Sequence, residues 1–469
     1  MTAALIETPD PLSRELAGKV KSLEDQINKY SLANRTSENY YFGAHTAQSL
    51  GISDPPRIRW LETVVGWPGT AVDSLEERLD FLGWDSPASS ALEQVYEQNA
   101  LDVESSMAHI DALMYGVSFI RVGKGERGEP DVLITAESPK TTTGEWSRRK
   151  RKLEIGLSLA ADPMGGDLLQ GTLMTEESMY ELYRRSPDSP WTVVRRYDTP
   201  FRQVPMVLIA NRPSASAPGG RSEITKPVRG YTDMAARTLK GMEIHREFYQ
   251  APQRYILGVS EEEMEQSKDD PNAGWQAIMG RLLTFTRDEE GMLPEVGTFQ
   301  PASPQPYLEQ VKGIAQLLAA ELGIPTSYLG FHTENPSSAD AIRQAEARHV
   351  KRAERRQSNF SRPWNDVGRL SLAYMGEDES ELHASWRDAG TPTRAAAADE
   401  AVKLIGAGVL QPQSKITYDR IGLTPREQKY LERENRRLAG RAALAGLQQE
   451  VANRLGNEGE EESEETEEE

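Results

Sequence analysis

The 469-residue chain has no cysteine, so neither a disulfide framework nor a thiolate metal site is open to it, which suits an intracellular or particle-assembled product. It also lacks any apolar run approaching membrane-spanning length, and residues 1–20 show no basic start followed by an apolar core. Neither a spanning helix nor a secretory signal is therefore expected. The six histidines, His45, His109, His245, His332, His349 and His383, are scattered without an H-E-x-x-H or other paired spacing. Each reads as structural or exposed rather than as a metal ligand. No G-x-x-x-x-G-K-[ST] run exists to cradle phosphates, and no G-x-S-x-G elbow to present a nucleophile. No cofactor, metal or catalytic residue is nominated. The enzyme class left open is a metal-dependent nuclease whose Asp and Glu side chains converge only in the fold.

A basic excess is missing too. Lys and Arg number 54 against 73 Asp and Glu, a formal charge of -19. That balance argues against a protein that grips nucleic acid, because phosphate binding needs clustered cations to release counterions. Part of the excess is local: from Glu458 onward stand nine glutamates and no base, leaving -10 for the rest. Such a tail buries no apolar surface and is expected to be disordered.

What is present suits two to four domains with a substantial core. Leu12 to Ser31 follows a helical stripe through Leu16, Val20, Leu23 and Ile27, and the aromatic group Tyr40-Tyr41-Phe42-Gly43 after it reads as a core plug. Ala71 to Leu79 is a second helix, and Ala91 to Tyr115 a third, with Leu92, Val95, Leu101, Met107, Ile110 and Met114 as its buried stripe. Gly116 to Leu208 is β-rich, six runs separated by Gly, Pro and Asp turns. A helical layer followed by a strand layer indicates an α+β domain.

Two features of that β-rich region invite a binding reading and do not sustain it. Gly123, Gly125 and Gly128 match G-x-G-x-x-G after a strand, but Pro130 and another strand follow where a dinucleotide site needs a helix. The segment reads as a hairpin. Arg148-Arg149-Lys150-Arg151-Lys152 is the densest basic run, with Trp146 alone beside it. Between predicted strands it reads as a solvated hairpin tip in preference to a nucleic-acid patch.

Pro213 to Gly220 reads as a linker. Gly230 to Tyr249 is then helical, with Tyr231, Met234, Ala235, Thr238, Met242, His245 and Tyr249 on one stripe. Arg254 to Val259 and Leu282 to Thr286 look strand-like around an acidic middle. From Pro306, Leu308, Val311, Ile314, Ala315, Leu318 and Leu322 recur at helical spacing until Gly323 and Pro325 stop the helix. After a loop, Ser337 and Asp340 form a capping pair and open a basic helix through Arg343, Arg348, Lys351, Arg352, Arg355 and Arg356. Pro363 is expected to kink or break it. Thr391 to Leu410, Ser414 to Ile421, and Thr424 to about Leu447 are the last helices.

The wording of the central stretch is more specific than its pattern. Gly323-Ile324-Pro325, Tyr328-Leu329-Gly330 and Asn335-Pro336-Ser337-Ser338-Ala339-Asp340-Ala341-Ile342 stand in order, with Tyr40-Tyr41-Phe42-Gly43 and Ala251-Pro252-Gln253-Arg254-Tyr255-Ile256-Leu257-Gly258 before them. In that order and spacing the chain resembles the portal proteins of tailed double-stranded DNA bacteriophages, most closely those of long, non-contractile-tailed phages of Gram-positive and actinobacterial hosts.

The resemblance implies an α+β portal fold assembling as a ring, twelve copies in the virion. Residues 1–224 would be the wing, 225–250 and 306–323 the stem helices, 251–305 the clip, 324–340 a tunnel loop, 341–390 a wing helix and its return, 391–455 the crown and 456–469 the acidic tail. The ring would sit at one capsid vertex, and in the host cytoplasm during assembly, as the channel for packaging and ejecting double-stranded DNA. Its expected partners are terminase, a head-tail adaptor, the major capsid protein and scaffolding protein, with no membrane. Phe331, His332, Thr333, Glu334 and Asn335 are the expected constriction, and Ser337, Ser338 and Asp340 the start of the tunnel helix. An acidic wall suits such a passage, since a wall that neutralised phosphates would hold the duplex.

Overall fold

The computed structural model describes residues 4–48, 60–161, 167–199, 203–250, 254–258, 293, 295–300, 303–331, 339–377, 381–390, 394–423 and 425–465. The strands are β1 (Ala4–Pro11), β2 (Phe81–Asp85), β3 (Val117–Lys124), β4 (Val132–Glu137), β5 (Thr142–Ser147), β6 (Lys152–Ala161), β7 (Leu168–Thr175), β8 (Ser178–Tyr183), β9 (Thr192–Asp198), β10 (Met206–Ala210), β11 (Arg254–Leu257), β12 (Glu295–Thr298) and β13 (His383–Trp386). The helices are α1 (Arg14–Tyr41), α2 (Trp67–Glu76), α3 (Ser89–Gln98), α4 (Leu101–Tyr115), α5 (Lys226–Gln250), α6 (Gln305–Leu322), α7 (Ala339–Met375), α8 (Arg394–Gly406), α9 (Lys415–Arg420) and α10 (Pro425–Glu465). The chain forms two units, Met1–Ala384 and Ser385–Glu469. Among the described residues no helix is long and apolar enough to cross a membrane.

In the first unit, an antiparallel sheet of order β1-β9-β8-β7-β6-β5 carries α1 on one face. Val20, Leu23 and Ile27 recur at helical spacing, and Ile155, Leu157, Leu159, Leu173 and Leu182 meet them from the sheet. A second sheet, β10-β3-β4, is antiparallel throughout. Its β4 edge is closed by side chains: Asn99 Oδ1 accepts from the Ile134 amide at 2.8 Å and Glu104 Oε2 from the Ala136 amide at 3.0 Å. Gly125, Gly128 and Pro130 lie in the tight β3–β4 connection, so the dinucleotide motif is a hairpin, as expected.

An aromatic cluster fastens α7 to the body. Phe81 stacks on Trp364 at 4.3 Å, Trp84 Nε1 donates to the Trp364 carbonyl at 2.7 Å, and Trp364 Nε1 donates to His109 Nε2 at 2.9 Å. His109 and Phe360 stack at 5.2 Å. His109 is fully buried, and burial lowers its pKa from the ordinary 6.5 to about 3, against a weaker opposing effect of its hydrogen bond to the Leu79 backbone. It accepts the indole proton because it is neutral.

Several expectations are corrected. The helix expected over Ala91 to Tyr115 is two, because Ala100 takes a left-handed turn at φ 46° between α3 and α4. That break rotates the second part, leaving Met107 46% exposed while Ala108, Ala112 and Leu113 are buried. On α5 the buried stripe runs through Val228, Thr232, Ala235 and Ala236, and Met234 faces outward. On α6 the expected stripe holds except at Leu308, which is exposed. α1 runs past the expected end at Ser31 to Tyr41, so the aromatic group forms its last turn and cap, with Tyr40 buried and Phe42 68% exposed. Pro363 does not end α7, which runs unbroken to Met375. A helix-interior proline costs roughly 3 kcal/mol, and complete burial of Phe360 and Trp364 on either side of it offsets that.

Pro213 to Gly220, read as a linker, is mostly exposed and is held close only at its end, where Gly220 takes φ +73° and an added Cβ would meet the Asn211 carbonyl at 2.4 Å. β11 pairs with Glu295–Thr298; Leu282 to Thr286 lie outside the described residues. In the second unit, Ser414 caps α9 by accepting from the Thr417 amide at 3.2 Å, and Gln428 Nε2 donates to Asp419 Oδ1 at 2.8 Å and to the Leu423 carbonyl at 2.8 Å. α10 continues past Leu447 to Glu465, so the acidic stretch expected to be disordered is helical that far. Glutamate is a good helix former, which the tail composition taken alone conceals.

Candidate functional site

The two helices expected to form the stem, α5 and α6, pack against each other antiparallel. Near one end, the Tyr307 ring lies 3.3 Å from where a Gly241 Cβ would stand and 5.5 Å, centroid to centroid, from His245. Along the pair, Val228 and Ala235 of α5 pack in one cluster with Val311, Ile314, Ala315, Leu318 and Leu322 of α6. The β11–β12 pair lies beyond the Tyr307 end in the chain, with Tyr255, Leu257, Val296 and Phe299 exposed. A 25-residue helix such as α5 is about 37 Å long.

At its other end α6 stops for two local reasons. Gly323 closes it at φ +65°, where its amide reaches the Ala319 carbonyl, and a Cβ there would lie 2.9 Å from Arg348 Nε. Pro325 then starts a 3₁₀ turn, Thr326–Leu329, that Gly330 ends at φ +88°. Ile324 and Leu329 are buried. Phe331 donates its amide to the Thr326 carbonyl at 3.3 Å and packs, half-buried, against the same cluster as α5 and α6. Of the residues expected at the constriction, Phe331 therefore stands on the anchored arm of the loop. His332, Thr333, Glu334, Asn335, Ser337 and Ser338 lie outside the described residues, and Asp340 is in the first turn of α7.

Polar contacts fix the base of this loop. Arg78 Nη2 donates to the Tyr328 hydroxyl at 3.0 Å and to Glu346 Oε2 at 3.2 Å, and that hydroxyl donates to Glu346 Oε1 at 3.0 Å. Burial raises the pKa of the Tyr328 phenol, with Arg78 acting against it. Behind it, His349 Nε2 contacts the Ser74 carbonyl at 2.8 Å, and burial lowers the histidine's pKa. Arg348 donates to the Ala320 carbonyl at 3.0 Å and Arg352 to the Glu321 carbonyl at 3.4 Å, so two cations of α7 cover the negative end of α6.

The basic face of α7 also serves a buried acid. Glu223 is 1% exposed and accepts from Arg352 at 2.7 Å, from Arg356, and from Asn211 Nδ2 at 3.0 Å. Burial alone would raise its pKa, yet Arg356 and Arg352 outweigh it and hold the carboxyl below its ordinary value. The arginine run of the expected basic helix is thus partly an internal clamp. Before His349, by contrast, residues 341–348 contribute no buried side chain, and Ile342 is 51% exposed.

The family model described as phage portal protein, SPP1 Gp6-like, matches residues 22–433. The chain belongs to this family of phage portal proteins. The portal protein of Mycobacterium phage D29 is 31% identical over 420 residues, covering 85% of each chain. That of Mycobacterium phage L5 is 31% identical over 454 residues, covering 92% of this chain and 90% of the relative. Among solved structures, the virion of a native gene transfer agent particle contains a chain similar at 14% identity and a TM-score of 0.44, covering 76% of this chain and 90% of that one. The neck of the native particle, computed with C12 symmetry, gives 13% identity, the same TM-score and the same coverage. Portal proteins are structural components of the phage particle. Among the described residues no group of three or more His, Asp or Glu side chains could hold a metal ion.

Proposed function

We propose that copies of this chain close into a ring, twelve in the virion, at one capsid vertex, and that the α5–α6 stems surround the passage for double-stranded DNA. The observation that carries this reading is the family match over residues 22–433. The shape of α6 supports it. Leu308 and Leu317, both exposed, are nine residues apart and so stand on opposite flanks of the helix. A stem helix with a like neighbour on each side has apolar contacts to make in both directions, as a head-to-tail ring requires.

In this reading, residues 332–335 of each copy hang from a fixed frame made by Phe331, Tyr328 and α7, and together they narrow the channel. The chain's net charge of -19 keeps the wall from holding phosphates. Terminase and the head-tail adaptor would dock at the clip, scaffolding protein and the major capsid protein around the wing and crown, and assembly would take place in the host cytoplasm. No catalytic role is assigned.

Deleting His332 to Asn335 in the phage tests the loop assignment. Rings of normal size with impaired packaging or retention of DNA are expected. Normal phage yield would overturn it.

A further inference from the structure

A cleft in the first unit lies where the β5–β6 hairpin and β10 meet α7. Its floor is apolar and buried: Leu153, Val204, Met206 and Leu370, each at most 4% exposed, with Pro363 at one wall. The cavity volume is about 50 Å³, several water molecules' worth and suited to the end of one aliphatic side chain. Trp146, 36% exposed, and the exposed Arg151 and Arg362 form its rim. This cleft plays no part in the stem, the loop or the clamp at Glu223.

Basic side chains cluster around it. Lys150 pairs with Glu176 and Glu154, and Lys152 Nζ donates to Gln203 Oε1 at 2.6 Å. Asp366, the one carboxylate on the lining, is paired with Arg369 at 2.9 Å. Arg148, Arg149, Arg151 and Arg362 make no side-chain hydrogen bond or ion pair among the described residues. Among the described residues these four arginines, three in the β5–β6 turn and one on α7, pair with no acid, although the chain has 73 acidic residues. Arg151 also sits at φ +52°, its amide held by the Ser147 carbonyl at 2.8 Å, in a left-handed conformation that glycine would adopt without strain.

From this combination we propose that the cleft is a docking site for an acidic amphipathic protein segment, one aliphatic side chain entering the floor and flanking carboxylates meeting the four arginines. Complementary charge selects the partner's sign. The floor selects its class: a sugar-phosphate backbone would meet the arginines but has no apolar group for a pocket lined by Leu153, Met206 and Leu370.

The test uses the full-length chain and a fluorescein-labelled peptide, Glu-Glu-Leu-Leu-Glu-Glu-Leu-Glu, followed by fluorescence anisotropy. Binding is expected to weaken about tenfold in Arg151→Glu and again in Arg362→Glu, and to fall as salt is raised. Replacing the peptide's leucines by serine should abolish it. Both arginines are exposed and unpaired, so the variants should melt with the parent, which a thermal scan verifies. Affinity unchanged by either charge reversal, or no binding to the parent, would overturn the proposal. So would displacement of the peptide by short duplex DNA at lower concentration than by unlabelled peptide, which would make the patch a nucleic-acid contact.

Discussion

Glu223 and Arg356, 133 residues apart in sequence, form a hydrogen-bonded ion pair in which both side chains are at most 4% exposed. The pair ties the segment leading into α5 to the middle of α7, so α5 and the helix after the loop share one fixed point. Arg352 joins it and also reaches the end of α6. Removing one partner of a buried pair leaves the other charge uncompensated, which costs about 3–5 kcal/mol. Glu223→Gln is expected to lose that much at neutral pH, measured by urea unfolding; a loss under 1 kcal/mol would contradict the clamp.

The same carboxyl sets a direction with acid. Its folded pKa lies below its ordinary value, so its contribution is fully present above the unfolded value of about 4.3 and is lost as pH falls towards the folded one. The stability difference between the parent and Glu223→Gln should therefore shrink below about pH 4, seen in unfolding curves taken at successive pH values.

His109 acts in an adjacent window. Its pKa is lowered to about 3 in the fold, so below about pH 6.5 the unfolded chain takes up a proton that the folded chain refuses. Stability should fall by about 1.4 kcal/mol per pH unit from this residue alone until pH approaches the folded pKa. Imidazole ¹⁵N shifts should show a neutral ring at pH 5; a charged ring there would be inconsistent with the Trp364 indole donating to it.

Tyr328 joins Arg78 to Glu346 through one hydroxyl. Tyr328→Phe removes both bonds and keeps the ring against His349, so a loss of about 1–2 kcal/mol is expected. Hydrogen exchange of the amides in 326–331 should quicken; unchanged exchange would show that the apolar anchors Ile324 and Leu329 hold the turn alone.

Gly323 is held by its dihedral and its neighbour. Gly323→Ala meets a left-handed φ of +65° and the Arg348 side chain, for an expected cost of about 1–2 kcal/mol in thermal unfolding. Gly313, with open space around its Cβ position in the same helix, is the control: Gly313→Ala should be neutral or stabilising.

Much of this was legible in the residues themselves. The α6 stripe, the stop at Gly323 and Pro325, the β-rich region from Gly116 to Leu208 and the false dinucleotide motif all follow from local spacing, because periodicity and turn chemistry are local. The portal family was legible in the order of short words such as Tyr328-Leu329-Gly330, and the comparisons confirm it. What escaped is non-local. Nothing near Arg352 and Arg356 in sequence announces Glu223, and Pro363 was expected to kink or break a helix that is held by the distant Phe81, Trp84 and His109. Phe331, expected among the constriction residues, packs against a cluster that includes Trp67 and Val228, both far away in the chain, and no local signal announces it.

The central claim is that like copies close around a passage. Electron microscopy of the purified full-length chain, viewed from the top, tests it most directly: the account predicts rings of uniform symmetry with an open centre. Monomeric particles at assembly concentrations, or closed clusters without a central hole, would contradict it.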